Sequence, residues 1–231
     1  MTGRDYRTGA IILAAGSSRR MGGLDKLLHE LDGRPIIAFS IAAFAASNDV
    51  DEVVVVASNA NYDAVSAIVS QLSPGSRVVF GGERRQDSVR AGLDALHDVD
   101  YVLVHDGARP VINEVMIEDV LRGAIESGAA ICAIPVSDTI KRGRDGLITE
   151  TVERHDLHRA QTPQAFRRDL LVRAHDQSDT EATDDAALVE RLGEPVRLVP
   201  GSHRNIKVTT PDDLHVAEAL LHRAGVGEED E

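Results

Sequence analysis

The residues best suited to do chemistry in this chain lie in one glycine-rich segment. A short apolar run at residues 11–15 ends at Gly16, and Arg20 and Lys26 follow it within ten residues. Small side chains leave backbone N–H groups open to an anion, and the two cations add full positive charges beside them. The segment therefore predicts a strand that feeds a polyphosphate-binding loop, with a purely structural turn as the alternative.

The two familiar phosphate-binding patterns are both missing from this loop. Five residues separate Gly16 from Gly22, and no Lys-Ser or Lys-Thr pair follows the second glycine, so the loop is not a Walker loop. No Gly-x-Gly-x-x-Gly run can be placed in the segment either, which disfavours a dinucleotide-dependent dehydrogenase.

A second glycine pair follows a later predicted strand. Gly81 and Gly82 stand at its end, and Ser88 lies near the start of the next predicted helix. Glycines at such a place permit close backbone approach to a base or a ribose, but they also suit an ordinary helix entry. The local pattern leaves both interpretations open.

Asp106 directly follows a hydrophobic run, with Gly107 and Arg109 beside it. A carboxylate placed so can hold one Mg²⁺, because phosphates and water complete the octahedron, while Arg109 faces an anionic ligand. A loop-capping aspartate is the alternative. Lys207 is flanked by two apolar residues, and strand alternation would turn it to the opposite face, where a lysine is usually just solvated.

Predicted strands alternate with predicted helices along most of the chain. We expect strands at residues 11–15, 52–57, 77–80, 101–104, 129–136, 196–199 and 205–208, and helices at 35–46, 60–72, 86–96, 113–127, 167–175, 184–192 and from 211 onward. This alternation predicts an α/β fold with a doubly wound, mostly parallel sheet. Ligands of such sheets gather at the carboxyl ends of strands, where the motifs above lie.

One region interrupts the alternation. The pattern predicts two short strands, at residues 139–142 and 147–152, on either side of a polar turn. They lie within a protruding β-arm at about residues 137–162. An exposed hairpin and an oligomerisation arm remain equal alternatives. We expect residues 1–231 to form one domain, with a disordered acidic tail at about residues 225–231.

Composition narrows the classes of protein. The 231 residues are 42% hydrophobic, which suffices for a core, and the net charge of −13 disfavours a nucleic-acid partner. The lone cysteine, Cys132, lies in an apolar run and is expected to be buried and inert, in a reducing compartment. No apolar segment approaches a membrane span and no secretion signal begins the chain, so we expect a cytoplasmic protein.

The loop resembles the signature of sugar and polyol phosphate nucleotidyltransferases, and six further motifs narrow the resemblance. The seven are LAAGSSRRMG at 13–22, GGERRQDSV at 81–89, VHDGARP at 104–110, DTIK at 138–141, RAQTPQ at 159–164, ATDD at 182–185 and NIKVT at 205–209. Each is weak alone, but their order is similar to that of the 2-C-methyl-D-erythritol 4-phosphate cytidylyltransferase family, from about Ala10 to Leu221.

This resemblance implies transfer of a cytidylyl group from CTP to methylerythritol phosphate, with Mg²⁺ as cofactor and release of pyrophosphate. By resemblance, the nucleotide site comprises Ala14, Ala15, Gly16, Arg20, Lys26, Gly81, Gly82 and Ser88. The methylerythritol phosphate site comprises Asp106, Arg109, Thr139, Arg154, Thr162, Thr183 and Lys207, with Asp106 also the metal ligand. Arg20, Lys26, Arg154 and Lys207 are the implied catalytic residues, and the family implies a homodimer with interlocking arms that shares Arg154 between subunits.

Two alternatives stay open at this point. A cytidylyltransferase for another polyol phosphate, such as ribitol 5-phosphate, would share most of the loop, and a noncatalytic nucleotide sensor could use the same fold.

The chain also departs from the family pattern in two places. Asp25-Lys26-Leu27 stands where many members have Pro-Lys-Gln, which bears on the path of the loop, and Ser18 stands where many have Gly.

Overall fold

The computed structural model describes residues 4–16, 25–178 and 180–225 of the chain. The strands of the central sheet are β1 (Thr8–Ala14), β4 (Glu52–Ala57), β5 (Arg77–Phe80), β6 (Tyr101–Asp106), β7 (Ala129–Pro135), β10 (His158–Arg167) and β11 (Arg197–Pro200). Two small hairpins pair β2 (Glu30–Leu31) with β3 (Arg34–Pro35) and β8 (Ile140–Arg144) with β9 (Leu147–Val152). The helices are α1 (Ile36–Ala46), α2 (Tyr62–Leu72), α3 (Arg85–Ala95), α4 (Glu114–Ser127), α5 (Arg168–Asp176), α6 (Asp185–Arg191) and α7 (Pro211–Gly225), with a short 3-10 helix at Lys26–Leu28.

The central sheet has the strand order β11-β7-β10-β6-β1-β4-β5. β1 pairs in parallel with both β4 and β6, β5 extends β4 in parallel, and β11 runs parallel to β7. Only β10 among these strands is antiparallel to its neighbours, β6 and β7. The carboxyl ends of β1, β5 and β6 therefore lie on the same edge, and the predicted doubly wound, mostly parallel fold is confirmed.

Alternate residues of each strand pack against opposite helical layers. Ile12 and Val55 belong to the layer under α1, α2 and α4, whereas Ile11 and Val54 belong to the layer under α3, α5 and α6. Because both faces of the sheet are covered, the parallel strands β1, β4 and β7 are almost wholly apolar, as parallel strands usually are. The apolar runs of the sequence follow directly from this burial.

Two helix ends match their sequence signals. Asn113 accepts a hydrogen bond from the N–H of Met116 at the start of α4, and Gly128 ends that helix in the left-handed conformation, with φ of 89°. That conformation is costly for residues with a side chain, so glycine suits the position. These caps fix where the chain leaves β6 and enters β7.

The antiparallel strand β10 was not expected from the sequence. Pro163 interrupts its apolar pattern, and a proline argues against a central strand. Here the pairing with β7 shifts register between Ala160 and Gln164, so the proline falls where no ladder bond is needed. β10 also begins at His158, inside the range 137–162 expected for the arm, so the part that stands off the sheet is the β8–β9 hairpin.

The expected strand at residues 205–208 is wrong. The carbonyl of Asn205 accepts from the Arg109 guanidinium at 2.8 Å, and the N–H of Ile206 turns back to the carbonyl of Arg204. With these groups committed elsewhere, no ladder forms. The expected alternation nevertheless holds, because Val208 is buried while Lys207 is exposed.

The β8–β9 hairpin forms a separate two-stranded sheet that is exposed along most of its length. Leu147 and Ile148 at its tip are 73% and 69% exposed.

None of the helices in the described part of the chain combines the length and the apolar character that a membrane span requires.

Cys132 lies fully buried in β7, and burial raises the pKa of its thiol to about 12. Because the thiolate is the reactive form, we expect a chromogenic disulfide reagent at pH 8 to react about 10³-fold more slowly with the folded chain than with the chain in concentrated guanidinium chloride. Equal rates in the two states would contradict the buried, inert role of this cysteine.

Candidate active site

Asp106 is the last residue of β6, paired in register with Leu13 of β1, and three cations surround its carboxylate. Lys207 Nζ lies 2.8 Å from Oδ2, Arg109 Nε lies 3.7 Å from Oδ2, and Arg85 Nε lies 3.8 Å from Oδ1. These cations come from three distant parts of the chain and meet at the carboxyl edge of the sheet.

The charge state of Asp106 follows from these neighbours. Burial raises the pKa of the carboxyl, but the positive charges of Lys207, Arg85 and Arg109 outweigh burial and hold that pKa well below its ordinary value. Asp106 is therefore ionised across the physiological pH range.

A chain of hydrogen bonds holds the end of β6 against β10. The N–H of Asp106 donates to Thr162 Oγ1 at 3.0 Å, and Thr162 Oγ1 lies 3.2 Å from Nδ1 of His105. His105 Nε2 lies 3.3 Å from the carbonyl of Arg109, which can only accept, so Nε2 carries the proton and Nδ1 accepts from the threonine hydroxyl. Burial lowers the pKa of His105 to about 4, so the ring is neutral at pH 7.

The segment that carries Lys207 is hydrogen-bonded to Thr162 and Arg109. Asn205 donates through Nδ2 to the carbonyl of Thr162 at 2.8 Å and accepts from Arg109 through its own carbonyl. The N–H of Val208 donates to the carbonyl of Ala108 at 2.8 Å. These bonds on both sides of Lys207 fix its backbone, so the side chain reaches Asp106 although Lys207 is 41% exposed.

Lys26 joins this cluster from the other side. Its Nζ donates to the carbonyl of Val208 at 2.9 Å, which places it beside the residue that follows Lys207. Lys26 begins the 3-10 helix, whose next residue, Leu27, is buried in the core. The two predicted catalytic lysines are thus neighbours in space, although 181 positions separate them in the sequence.

The ends of β1 and β5 meet beside this cluster. A side chain added at Gly81 would place its Cβ 2.5 Å from the Cβ of Ala15 and 2.6 Å from Oγ of Ser88. Only glycine therefore fits at this crossing, where Ala15, Gly81 and Ser88 are neighbours. Ala14 is buried, whereas Gly16 and Gly82 are exposed at the rim.

Other predicted site residues are not brought into this cluster. Thr139 and Arg154 are exposed at the base of the arm, where the Arg154 guanidinium donates to the carbonyl of Ser137. Thr183 is exposed just before Asp184, the N-cap of α6. Arg20 lies outside the described residues.

A buried ion network was missed by the sequence analysis. Arg85 Nη1 lies 2.6 Å from Oδ2 of Asp185, whose other oxygen lies 3.0 Å from Nε2 of His175. Asp185 is fully buried; burial raises the pKa of its carboxyl, but the charge of Arg85 and the hydrogen bond from His175 lower that pKa overall. Arg85 and Asp185 both lie inside recognised motifs, but their pairing across 100 positions leaves no local signal.

This arrangement suits the binding of strongly anionic groups. Lys207, Arg109, Arg85 and Lys26 bring four positive charges to one sheet edge, where Asp106 and Asp185 supply two negative ones. No group of three or more histidine, cysteine, aspartate or glutamate residues that could hold a metal occurs among the described residues. A metal here would therefore depend on ligands from a bound phosphate as well.

Asp185→Asn should destabilise the fold by about 3–5 kcal/mol at pH 7, because it removes the nearer of the two anions, Asp185 and Asp106, that face the largely buried Arg85 guanidinium. The pKa of Asp185 in the folded chain lies below its ordinary value of 3.8, so the contribution is full above that value and is lost only as the pH falls through the lowered pKa. Urea unfolding of the parent and variant should give a difference at pH 5 that is no smaller than the difference at pH 7.

Asp169→Asn is the matched control, since Asp169 forms a surface ion pair with Arg167 and its side chain is 68% exposed. Its effect should stay below about 1 kcal/mol. A comparably small effect of Asp185→Asn, or a difference that shrinks between pH 7 and pH 5, would contradict the role given to the buried network.

The chain is similar to known proteins along most of its length. Residues 8–223 match the family model described as IspD, 2-C-methyl-D-erythritol 4-phosphate cytidylyltransferase. The chain is 43% identical over 220 residues to the protein of that name from Dehalococcoides mccartyi strain 195, covering 94% of this chain and 97% of the relative. It is 45% identical over 218 residues to the one from Bacillus mycoides, covering 92% and 96%.

Solved structures agree as well. 4-diphosphocytidyl-2C-methyl-D-erythritol synthase from Anaerococcus prevotii superposes with a TM-score of 0.85 at 31% identity, covering 94% of this chain and 97% of that one. The 2-C-methyl-D-erythritol 4-phosphate cytidylyltransferase from Thermus thermophilus gives 0.77 at 34% identity, covering 92% and 98%. The chain therefore belongs to the 2-C-methyl-D-erythritol 4-phosphate cytidylyltransferase family.

Proposed function

We propose that this protein transfers the cytidylyl group of CTP to 2-C-methyl-D-erythritol 4-phosphate, forming 4-diphosphocytidyl-2-C-methyl-D-erythritol and pyrophosphate. The observation that carries the proposal is the meeting of Lys207, Arg109 and Arg85 around Asp106 at the carboxyl end of β6, with Lys26 bound to the carbonyl of the neighbouring Val208. Family membership supplies the identity of the two substrates.

The reaction forms one phosphorus–oxygen bond and breaks another. An oxygen of the substrate phosphate attacks the α-phosphorus of CTP, and the bond from that phosphorus to the bridging oxygen of the β-phosphate breaks, so that pyrophosphate leaves. No base is required, because the attacking phosphate is already anionic. The difficulty is to bring two anions together and to stabilise charge in the transition state, which positioned cations do.

The nucleotide side of the site is assigned to the ends of β1 and β5. The proposed contacts are Ala14, Ala15, Gly16, Arg20, Lys26, Gly81, Gly82 and Ser88. The close approach of Gly81 to Ala15 supports this assignment, since it brings the ends of β1 and β5 together at the carboxyl edge of the sheet. Within the described part of this group, Lys26 places its ammonium on the carbonyl of Val208, next to Lys207.

The acceptor side is assigned to the residues around β10. Asp106, Arg109, Thr162 and Lys207 share one network, and Thr183 precedes Asp184, which accepts from Gln164 of β10 at 2.8 Å. Within this set Lys207 and Arg109 orient the substrate phosphate. Thr139 and Arg154 complete the acceptor side from the arm.

Mg²⁺ fits Asp106 as the single protein ligand. The carboxylate is ionised, and among the described residues the nearest cation to its Oδ1 lies at 3.8 Å, beyond hydrogen-bond distance, while Oδ2 takes Lys207. One free carboxylate oxygen suffices, because Mg²⁺ in nucleotide sites keeps waters and phosphate oxygens as its other ligands. When bound, the ion would neutralise charge on the triphosphate.

The β8–β9 hairpin is proposed to interlock with that of a second subunit. Its exposed apolar tip, with Leu147 and Ile148, supports burial against a partner. Arg154 follows this hairpin, so an exchanged arm would carry it to the partner's acceptor site. The functional unit is therefore a homodimer with twofold symmetry.

A cytoplasmic location belongs to the same proposal. The chain contains one cysteine, and Cys132 is buried. A chain without any possible internal disulfide suits a reducing compartment.

Pyrophosphate release across CTP, GTP, ATP and UTP, each with several polyol phosphates, tests the proposal. We expect the highest kcat/KM with CTP and methylerythritol phosphate in the presence of Mg²⁺. Preference for ribitol 5-phosphate would identify the related cytidylyltransferase instead, and nucleotide binding without any pyrophosphate release would indicate a sensor.

Asp106→Asn should retain the fold but raise the Mg²⁺ concentration needed for half-maximal activity, because the amide keeps the shape and loses the charge that a hard cation favours. Turnover should fall as well, by about 10²-fold, as the cations around it lose their shared anion. An unchanged magnesium response and unchanged turnover would make Asp106 a structural residue.

Co-expression of Lys26→Ala and Arg154→Ala chains tests the shared site. Each variant should be nearly inactive alone, but a mixed dimer contains one site in which Lys26 and the other chain's Arg154 are both intact. Random pairing makes about half of the dimers mixed, so about a quarter of the parental activity should return.

Co-expression of Lys26→Ala with Lys207→Ala is the matched control. Lys26 contacts the residue next to Lys207 within one chain, so a mixed dimer of these variants has no intact site. If verified mixed dimers of the first pair recover no activity, Arg154 acts within its own chain.

A further inference from the structure

Asn61 is a buried amide that touches both ends of the nucleotide-binding loop. It is 2% exposed and lies directly before α2. Its Nδ2 donates to the carbonyl of Ala14, where the loop leaves β1, at 3.0 Å. The same nitrogen donates to Oδ2 of Asp25, where the loop ends, at 2.6 Å.

The orientation of this amide is fixed by its other contacts. Oδ1 of Asn61 accepts from the backbone N–H of Ser58 at 2.8 Å and from Ser58 Oγ at 2.9 Å. A backbone N–H can only donate and a backbone carbonyl can only accept, so the oxygen must face Ser58 and the nitrogen must face Ala14. Nδ2 has two hydrogens, and both are used.

Asp25 has two tasks at the far end of the loop. Its Oδ1 accepts from the N–H of Leu27 at 3.0 Å and so caps the 3-10 helix that begins at Lys26. Its Oδ2 takes the Asn61 amide. One carboxylate therefore fixes both the direction of the turn and its distance from β1.

The consequence falls on Lys26. Asp25 immediately precedes it, Leu27 immediately follows it in the core, and its ammonium donates to the carbonyl of Val208. If the turn at Asp25 were to shift, Lys26 would shift with it relative to β1 and to the Lys207 segment. A displacement near 1 Å at a catalytic group can lower a rate by about 10²-fold.

We propose that Asp25 and Asn61 form a clasp, joining the carbonyl of Ala14 to the start of the 3-10 helix, that positions Lys26 for cytidylyl transfer. The inference rests on the proposed function and deepens it by assigning two positioning residues. It also gives a physical reason why Asp25 suits this chain at a place where the family pattern often has proline. A proline there would offer Asn61 no side-chain acceptor.

The experiment compares Asp25→Asn and Asn61→Ala with the parent in steady-state assays with CTP and methylerythritol phosphate. Asparagine at position 25 can still cap Leu27, but its one oxygen cannot also serve Asn61, so the clasp is lost while the cap is kept. We expect kcat to fall about 10- to 100-fold, with a smaller change in the KM for CTP. Asp63→Asn, a loss of the same charge at an exposed site on α2, should leave both constants unchanged.

A double-mutant cycle with Lys26→Ala separates positioning from a general loss of structure. If the clasp acts through Lys26, then Asp25→Asn should lower kcat in the parent but cause no further loss in the Lys26→Ala background. Residual rates can be measured by single-turnover formation of labelled pyrophosphate. Each variant is first checked for parental unfolding midpoint and secondary structure.

Parental kcat in both clasp variants would overturn the proposal, as would an equal loss in the two backgrounds of the cycle. A fall in kcat confined to variants with a lowered unfolding midpoint would also overturn it, because that pattern indicates a structural role. Failure of the proposed function is a separate outcome: the parent itself would then release no pyrophosphate from CTP and methylerythritol phosphate.

Discussion

The site depends on one ionised carboxylate held among cations that would otherwise repel one another. Lys207, Arg109 and Arg85 converge on Asp106, and each is fastened elsewhere: Arg85 by buried Asp185, Arg109 by the carbonyl of Asn205, Lys207 by the backbone bonds of its neighbours. Without the carboxylate, only the ion pair and hydrogen bonds to the surrounding structure would hold these mutually repelling charges together. With it, the cluster keeps a net positive charge in a partly buried place, where its field acts on a bound anion with little screening.

β10 is the strand whose hydrogen bonds hold the segments of the site in place. This strand fills the gap between β6 and β7, and the side chains that interrupt its apolar pattern are the ones that connect it to the site. Thr162 binds the end of β6, Gln161 donates to the carbonyl of Ser202 ahead of the Lys207 segment, and Gln164 binds the N-cap of α6. Buried polar groups need partners, and here each partner lies on a segment that carries a cation or a predicted substrate contact. Packing and site geometry are thus specified by the same residues.

Sequence patterns predicted most of the parallel strands and most helix ends, because apolar runs and caps are local signals. They did not predict β10, because Pro163 and the two buried glutamines give this segment a composition typical of a loop. Only its pairing with the neighbouring strands shows that it belongs to the sheet. They assigned a strand at residues 205–208 whose backbone groups are taken by Arg109 and Arg204 instead. The pairing of Arg85 with Asp185 and the clasp of Asn61 depend on contacts across 100 and 36 positions, which no local pattern records. Thr162 and Lys207 came from the family resemblance, whereas Arg109 stood out beside Asp106 in the sequence itself. The fold brings all three together around Asp106.

The most direct test of the account is a crystal structure of the protein with CTP and Mn²⁺ in place of Mg²⁺, read through the anomalous signal of the metal. The account predicts one metal peak within bonding distance of Asp106 Oδ1, roughly 2.2 Å, with the triphosphate between that peak and Lys26. A metal peak remote from Asp106, or a triphosphate bound away from the carboxyl ends of β1 and β6, would contradict it.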